Sequence, residues 1–135
     1  MKVPMTEYLS LDLDAEQWEC RVCQHSVGSA HKSYKEGLLV YNRNPQEIHP
    51  PVIDPDRYRY TFSPDPEWVR ILEYYCPSCA TMVETEYATP GHPPLYDMEV
   101  DLPALKRQWA ERAARGELPE SASGPAVELR DEHRH

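Results

Sequence analysis

All four cysteines of this chain fall into two C-x-x-C units, Cys20-Arg21-Val22-Cys23 and Cys76-Pro77-Ser78-Cys79. A C-x-x-C turn aims two sulfurs at one point while backbone amides face the thiolates, and two such turns meeting face to face make a closed tetrahedral site. Four thiolates leave no position for water or substrate. Cys20, Cys23, Cys76 and Cys79 are therefore expected to hold one structural metal ion, zinc first, and to take no part in Lewis-acid catalysis. Iron in the same ligand set is a competing reading. A disulfide pair or two separate redox dithiols are others. His25 lies two residues after Cys23 and could replace a thiolate, but with four cysteines completing the shell it reads as a hydrogen-bonding or surface residue.

The elements that must bring the two units together are legible in outline. Between Cys23 and Cys76 lie 52 residues, against roughly 15–20 in the compact two-knuckle pattern. An insertion explains the gap, and residues 42–67, with prolines at 45, 50, 51, 55, 64 and 66, have its composition. Proline removes a ladder donor and biases its predecessor to extended geometry, so this stretch is neither a continuous helix nor a central strand. Tyr58, Tyr60 and Phe62 alternate with Arg57, Arg59 and Thr61, which predicts a short edge strand within an ordered arm that packs on something. Asp65-Pro66-Glu67 reads as the start of a short helix.

Strands or extended segments are predicted over residues 5–13, at Leu38–Tyr41, from Ile71 into Cys76, over Met82–Tyr87 and around Met98–Leu102, while Ala15–Cys20 leads into the first cysteine pair and a short segment around Val27 follows it. Residues 103–115 read as a helix, with Pro103 in its first turn, Leu105 and Trp109 at helical spacing, and Gly116 to close it. The expected fold is mainly β with small helical elements: a zinc-ribbon-like core of two knuckles, a long Pro-rich insertion and a C-terminal helix. It occupies one domain over residues 1–116. Residues 117–135 lack periodicity and read as a flexible tail, with His133 and His135 at a solvated end.

Composition narrows the function classes. A chain of 135 residues with fourteen prolines and one Phe has a modest core, and a metal or partner subunit would add order. The formal net charge of −9 opposes binding to nucleic acid and to anionic membranes. No apolar run approaches the roughly 20 residues of a membrane span, and the N-terminal segment has no signal-peptide core, so a cytoplasmic protein is expected. Thiols stay reduced there, which favours metal over disulfide. No phosphate loop, dinucleotide fingerprint, H-E-x-x-H or G-x-S-x-G is present. Glu7, Asp12, Asp14 and Glu16 read as a solvated run, so no catalytic or cofactor-binding residue is nominated.

Two segments share a theme, Ile48-His49-Pro50-Pro51-Val52 and Gly91-His92-Pro93-Pro94-Leu95. Each is a rigid His-Pro-Pro between apolar residues, read as a pair of docking struts or as ordinary turn chemistry.

Together with Trp18-Glu19-Cys20, Lys35-Glu36-Gly37-Leu38 and Tyr74-Tyr75-Cys76, these segments resemble the small subunit of the acetone and acetophenone carboxylases over roughly residues 1–110. The acetophenone branch is the nearer, because the first knuckle comes so early, at residue 20. The resemblance implies a cytoplasmic hetero-oligomer. Its larger subunits, similar to hydantoinase and oxoprolinase chains, carboxylate a ketone with bicarbonate through phosphorylated intermediates. They use ATP, with Mg or Mn, and no biotin. It also implies that this chain is the zinc-bearing, non-catalytic component, with one Zn per chain. A stand-alone zinc-ribbon module and a rubredoxin-like electron carrier are the alternatives. One departure concerns the knuckles: a Gly often follows the second cysteine, where positive φ is favoured, and here Gln24 and Ala80 stand.

Overall fold

The computed structural model describes residues 1–120. Seven strands form two antiparallel sheets. The first has the order β1-β2-β3-β4, from β1 (Lys2–Pro4), β2 (Leu9–Asp12), β3 (Gln17–Cys20) and β4 (Ser26–Ser29). The second has the order β5-β6-β7, from β5 (Leu39–Arg43), β6 (Arg70–Tyr75) and β7 (Met82–Ala88). One helix, α1 (Leu102–Ala114), follows. The fold is mainly β and zinc-ribbon-like, with a C-terminal helix.

Alternation along the strands builds the core. Val3 pairs with Leu11, Leu11 with Trp18, and Leu9 with Cys20, so their side chains share one face. These residues and Leu72, Tyr74, Cys76 and Val83 of the second sheet belong to one buried cluster. Trp18 is fully buried, meets Tyr34 edge-on at 5.7 Å between ring centroids, and donates its indole N–H to Lys32 O at 3.1 Å. Both polar requirements of a buried tryptophan and its packing are thus met locally.

Gly37 ends a 3-10 turn (Tyr34–Gly37) that leads to β5. A Cβ here would lie 1.4 Å from the Val27 carbonyl oxygen. The absence of a side chain lets the turn press against β4, just beyond the first cysteine pair.

Helix α1 starts one residue before the expected boundary, with Leu102, and Asp101 caps it by accepting the Ala104 N–H at 3.0 Å. Leu102 is buried, and Leu105 and Trp109 pack against the core. Lys106 reaches Glu16 at 2.8 Å, which ties the helix to the β2–β3 turn. Within the expected solvated run of carboxylates, Asp12 accepts the Asp14 and Ala15 N–H groups at 3.0 Å each. Glu16 pairs with Lys106 and His31, whose hydrogen bonds hold its carboxyl down at about 2.

Two expected strands do not form. Residues 58–62 and 98–101 carry no ladder. The alternation of Tyr58, Tyr60 and Phe62 satisfies the period of a strand, but the neighbouring backbone is taken by side chains, Ser63 Oγ donating to His49 O and the Val52 N–H to Thr61 Oγ1, and pattern alone does not make a ladder. The helix expected from Asp65 is a single turn, in which Trp68 and Val69 donate to Asp65 O at 3.0 Å. Residues 44–69 otherwise form an exposed irregular arm with a short 3-10 turn at Pro45–Glu47. Glu117, where a flexible tail was expected to begin, is bound by Arg112 and Arg115 at 2.9 and 3.2 Å. The rest of the expected tail from 121, with His133 and His135, lies outside the described residues.

Candidate metal centre

Each C-x-x-C occupies a hairpin turn, the first between β3 and β4 and the second between β6 and β7. The two turns have the same backbone wiring. Cys20 N–H donates to His25 O at 2.9 Å, and Gln24 N–H donates to Cys20 O at 2.8 Å. In the second turn Cys76 N–H donates to Thr81 O, and Ala80 N–H to Cys76 O, both at 2.9 Å. The residue after each pair is left-handed: Gln24 has φ 66° and Ala80 φ 61°. The glycine position of a zinc knuckle is thus present geometrically with non-glycine residues in it, at some backbone cost.

The four sulfurs converge. Cys20 Sγ lies 3.8 Å from Cys79 Sγ and Cys23 Sγ 3.6 Å from Cys76 Sγ. All four are within 4.8 Å of one another. A tetrahedron of thiolates about an ion at Zn–S ~2.3 Å has edges of about 3.8 Å, so the cage has the right size. It is far too wide for S–S bonds of ~2.05 Å, and all four cysteines are free thiols. The cage draws one diagonal pair from each sheet edge, so a bound ion would join the two hairpins directly.

The local chemistry suits a cation. Burial pushes the Cys20 thiol up to about 12, against the pull of the Cys23 and Val22 amides that face its sulfur. Burial also raises Cys76, again opposed by two amides, those of Cys79 and Ser78. Cys79 goes the other way: the Thr81 hydroxyl, 3.1 Å from its sulfur, holds it down at about 6. Two buried thiols that resist ionisation, beside amides aimed at thiolate sulfur, gain most from a divalent ion in the cage, which releases their protons. The set of donors therefore fits a soft or borderline metal ion, and all four predicted residues are brought together. His25 is exposed, and its carbonyl serves the first knuckle.

A second polar cluster was not foreseen. The Lys35 side chain is 4% exposed. Its Nζ donates to Glu86 Oε1 at 3.1 Å and to Leu95 O at 2.8 Å, and it lies 3.5 Å from Asp97. Tyr74 OH also donates to Glu86, and Tyr34 OH donates to Asp97 at 3.1 Å. Burial raises Tyr34 and Tyr74, and the adjoining carboxylates raise them further. Burial disfavours the charged Glu86, but hydrogen bonds from Tyr74, Lys35 and the Leu95 N–H outweigh it and hold the carboxyl below its ordinary range. The partners of Lys35 lie 51 and 60 residues away, which is why spacing along the chain gave no sign of them.

This cluster also separates the two His-Pro-Pro segments. Leu95, just after the second, is clamped through both its N–H and its carbonyl by Glu86 and Lys35. The first lies in the arm, where His49 Nε2 is 3.4 Å from the Tyr87 hydroxyl.

Similarity to known proteins gives this geometry its setting. The family described as acetone carboxylase gamma subunit matches residues 3–110. The chain is 52% identical over 105 residues to the acetophenone carboxylase beta subunit of Aromatoleum aromaticum, covering 78% of this chain and 79% of that one. It is 28% identical over 97 residues to the acetone carboxylase gamma subunit of Xanthobacter autotrophicus, covering 70% of this chain and 54% of that one. The stronger likeness is thus to the acetophenone branch, as the sequence segments implied. With a family match that spans most of the chain and a relative at this level of identity, the protein belongs to the acetone carboxylase gamma subunit family.

Proposed function

We propose that this chain is the zinc-bearing, non-catalytic subunit of an ATP-dependent, biotin-independent ketone carboxylase of the acetophenone type. The whole enzyme would join a ketone and bicarbonate to give a β-keto acid, in the cytoplasm. Larger hydantoinase- and oxoprolinase-like subunits would bind ATP with Mg or Mn and carry the chemistry. Residues 1–116 act as one domain in this reading. The carrying observation is the closed cage: four sulfurs within 4.8 Å, supplied by hairpins from two separate sheets. Cys20, Cys23, Cys76 and Cys79 would hold the ion, whose contribution is cross-linking and charge neutralisation. A shell made wholly of protein thiolates supports a clasp better than a reaction centre. The likeness to named carboxylase subunits supports a place in a hetero-oligomer.

The test is Cys76→Ser, expressed together with the larger carboxylase subunits. It is expected to lose its metal and, because zinc binding is coupled to folding, to assemble poorly with those subunits and reduce ketone carboxylation in proportion. Normal assembly and full carboxylation by a metal-free variant would refute the clasp. Ketone carboxylation with ATP by the wild-type chain alone would refute the non-catalytic role.

A further inference from the structure

The second sheet presents an outward face with exposed apolar residues and an open edge. The register sets Leu39 opposite Tyr75, Tyr41 opposite Glu73, and Ile71 opposite Tyr87. Residues directly opposite one another share a face, and alternation puts Leu39, Tyr41, Tyr75 and Tyr87 on the side away from Leu72 and Tyr74 of the core, together with Ile71 and Glu73, which are buried. Leu39 is 60% and Tyr87 63% exposed. β5 is the outer strand of its sheet, and among the described residues no strand pairs with its other edge. Leu39 to Asn42 are all exposed, so β5 is covered on neither face. Such an edge, Leu-Val-Tyr-Asn before any charge, templates pairing with another chain unless something covers it.

The surroundings are already prepared for burial. Arg43 holds Glu73 at 2.9 Å and Glu47 at 2.6 Å. On this face Arg43 and Glu73 are thus already paired with each other, which lessens the usual penalty of burying a polar sheet. The contact of His49 with Tyr87 makes the face continuous with the arm. There Ile53 and Phe62, 90% and 91% exposed, border an open hollow of about 520 Å³.

We infer that the open edge of β5 and the outward face of its sheet receive an extended, apolar segment of a larger carboxylase subunit, which adds as a fourth strand. This rests on the subunit role proposed above. Net charge favours a different chain over a second copy, because each copy carries a formal charge of −9 and two copies repel as wholes. Main-chain bonds to β5 would supply affinity, and Leu39, Tyr41 and Tyr87 the fit.

The experiment compares the wild-type chain with a Leu39→Asp, Tyr87→Asp double variant for binding to the larger carboxylase subunits that co-purify with the native chain. Metal content and denaturant midpoint of the free chains check that both fold. The variant is expected to bind at least about tenfold more weakly with its metal retained. Amide exchange of residues 39–43 in the wild-type complex is expected to be slower than in the free chain. That second measurement needs no variant. Undiminished binding of the folded variant, or unchanged exchange at 39–43 in an intact complex, overturns this inference alone. So does a wild-type homodimer joined through β5. A wild-type chain that joins no carboxylase subunit overturns the subunit role as well.

Discussion

The two cysteine hairpins and the arm between them obey opposite rules. The hairpins are short, paired strand for strand, and wired identically around their sulfurs. Trp18 and Tyr74 at their centre are buried within the chain itself, and Tyr87 at the far end of β7 is exposed. The arm of residues 44–69 has no ladder, and its large side chains, Ile53, Tyr60, Phe62 and Trp68, stand in solvent. A chain that spends apolar residues this way has two stability regimes. The hairpin region stabilises itself and, once a metal ion is bound, gains a cross-link between residues 20 and 79. The arm contributes little to the isolated fold, and its apolar surface gains free energy only when something else covers it.

Three substitutions sharpen that division. Gly37→Ala puts a methyl group into the Val27 carbonyl, a collision with backbone that no rotamer relieves. It should destabilise the metal-loaded chain on the order of 4 kcal/mol, read from the denaturant midpoint, and a loss below about 1 kcal/mol would show the turn to be movable. Lys35→Met leaves Glu86 and Asp97 facing each other without their shared cation. A loss of about 3 kcal/mol is expected, with faster amide exchange over residues 91–97, whose anchor at the Leu95 carbonyl is removed. Unchanged exchange there would mean that the proline segment is held by packing alone. Phe62→Ser, in the arm, should change the stability of the free chain by no more than about 0.5 kcal/mol while weakening assembly with the larger subunits. Equal effects on free chain and complex would erase the distinction between the two regions.

What could be read from the sequence follows the same division. The four converging cysteines were legible, because each C-x-x-C holds two sulfurs within four residues and the fold brings the two pairs within 4.8 Å of one another. The strands flanking the second knuckle were legible from their apolar residues, whereas β3 and β4 around the first carry no apolar run, and α1 was legible from Pro103, the spacing of Leu105 and Trp109, and Gly116. The arm was half legible. Its prolines correctly excluded a helix or central strand, yet the alternation at Tyr58, Tyr60 and Phe62 promised a strand for which the fold provides no partner. The Lys35 cluster was not legible at all. A lysine among Tyr34, Glu36 and Gly37 looks like surface sequence, and only the fold brings Glu86 and Asp97 to it. Local motifs and periods are written in consecutive residues; buried ion networks are written in topology.

The central claim is that a metal ion clasps the two sheets through four thiolates. The most direct measurement is elemental analysis of the natively purified protein, paired with thiol titration before and after chelation. The account predicts one zinc per chain, cysteines that resist modification while it is bound, and four reactive thiols with loss of cooperative unfolding once it is removed. A metal-free chain that unfolds cooperatively and exposes four reactive thiols from the start would contradict it.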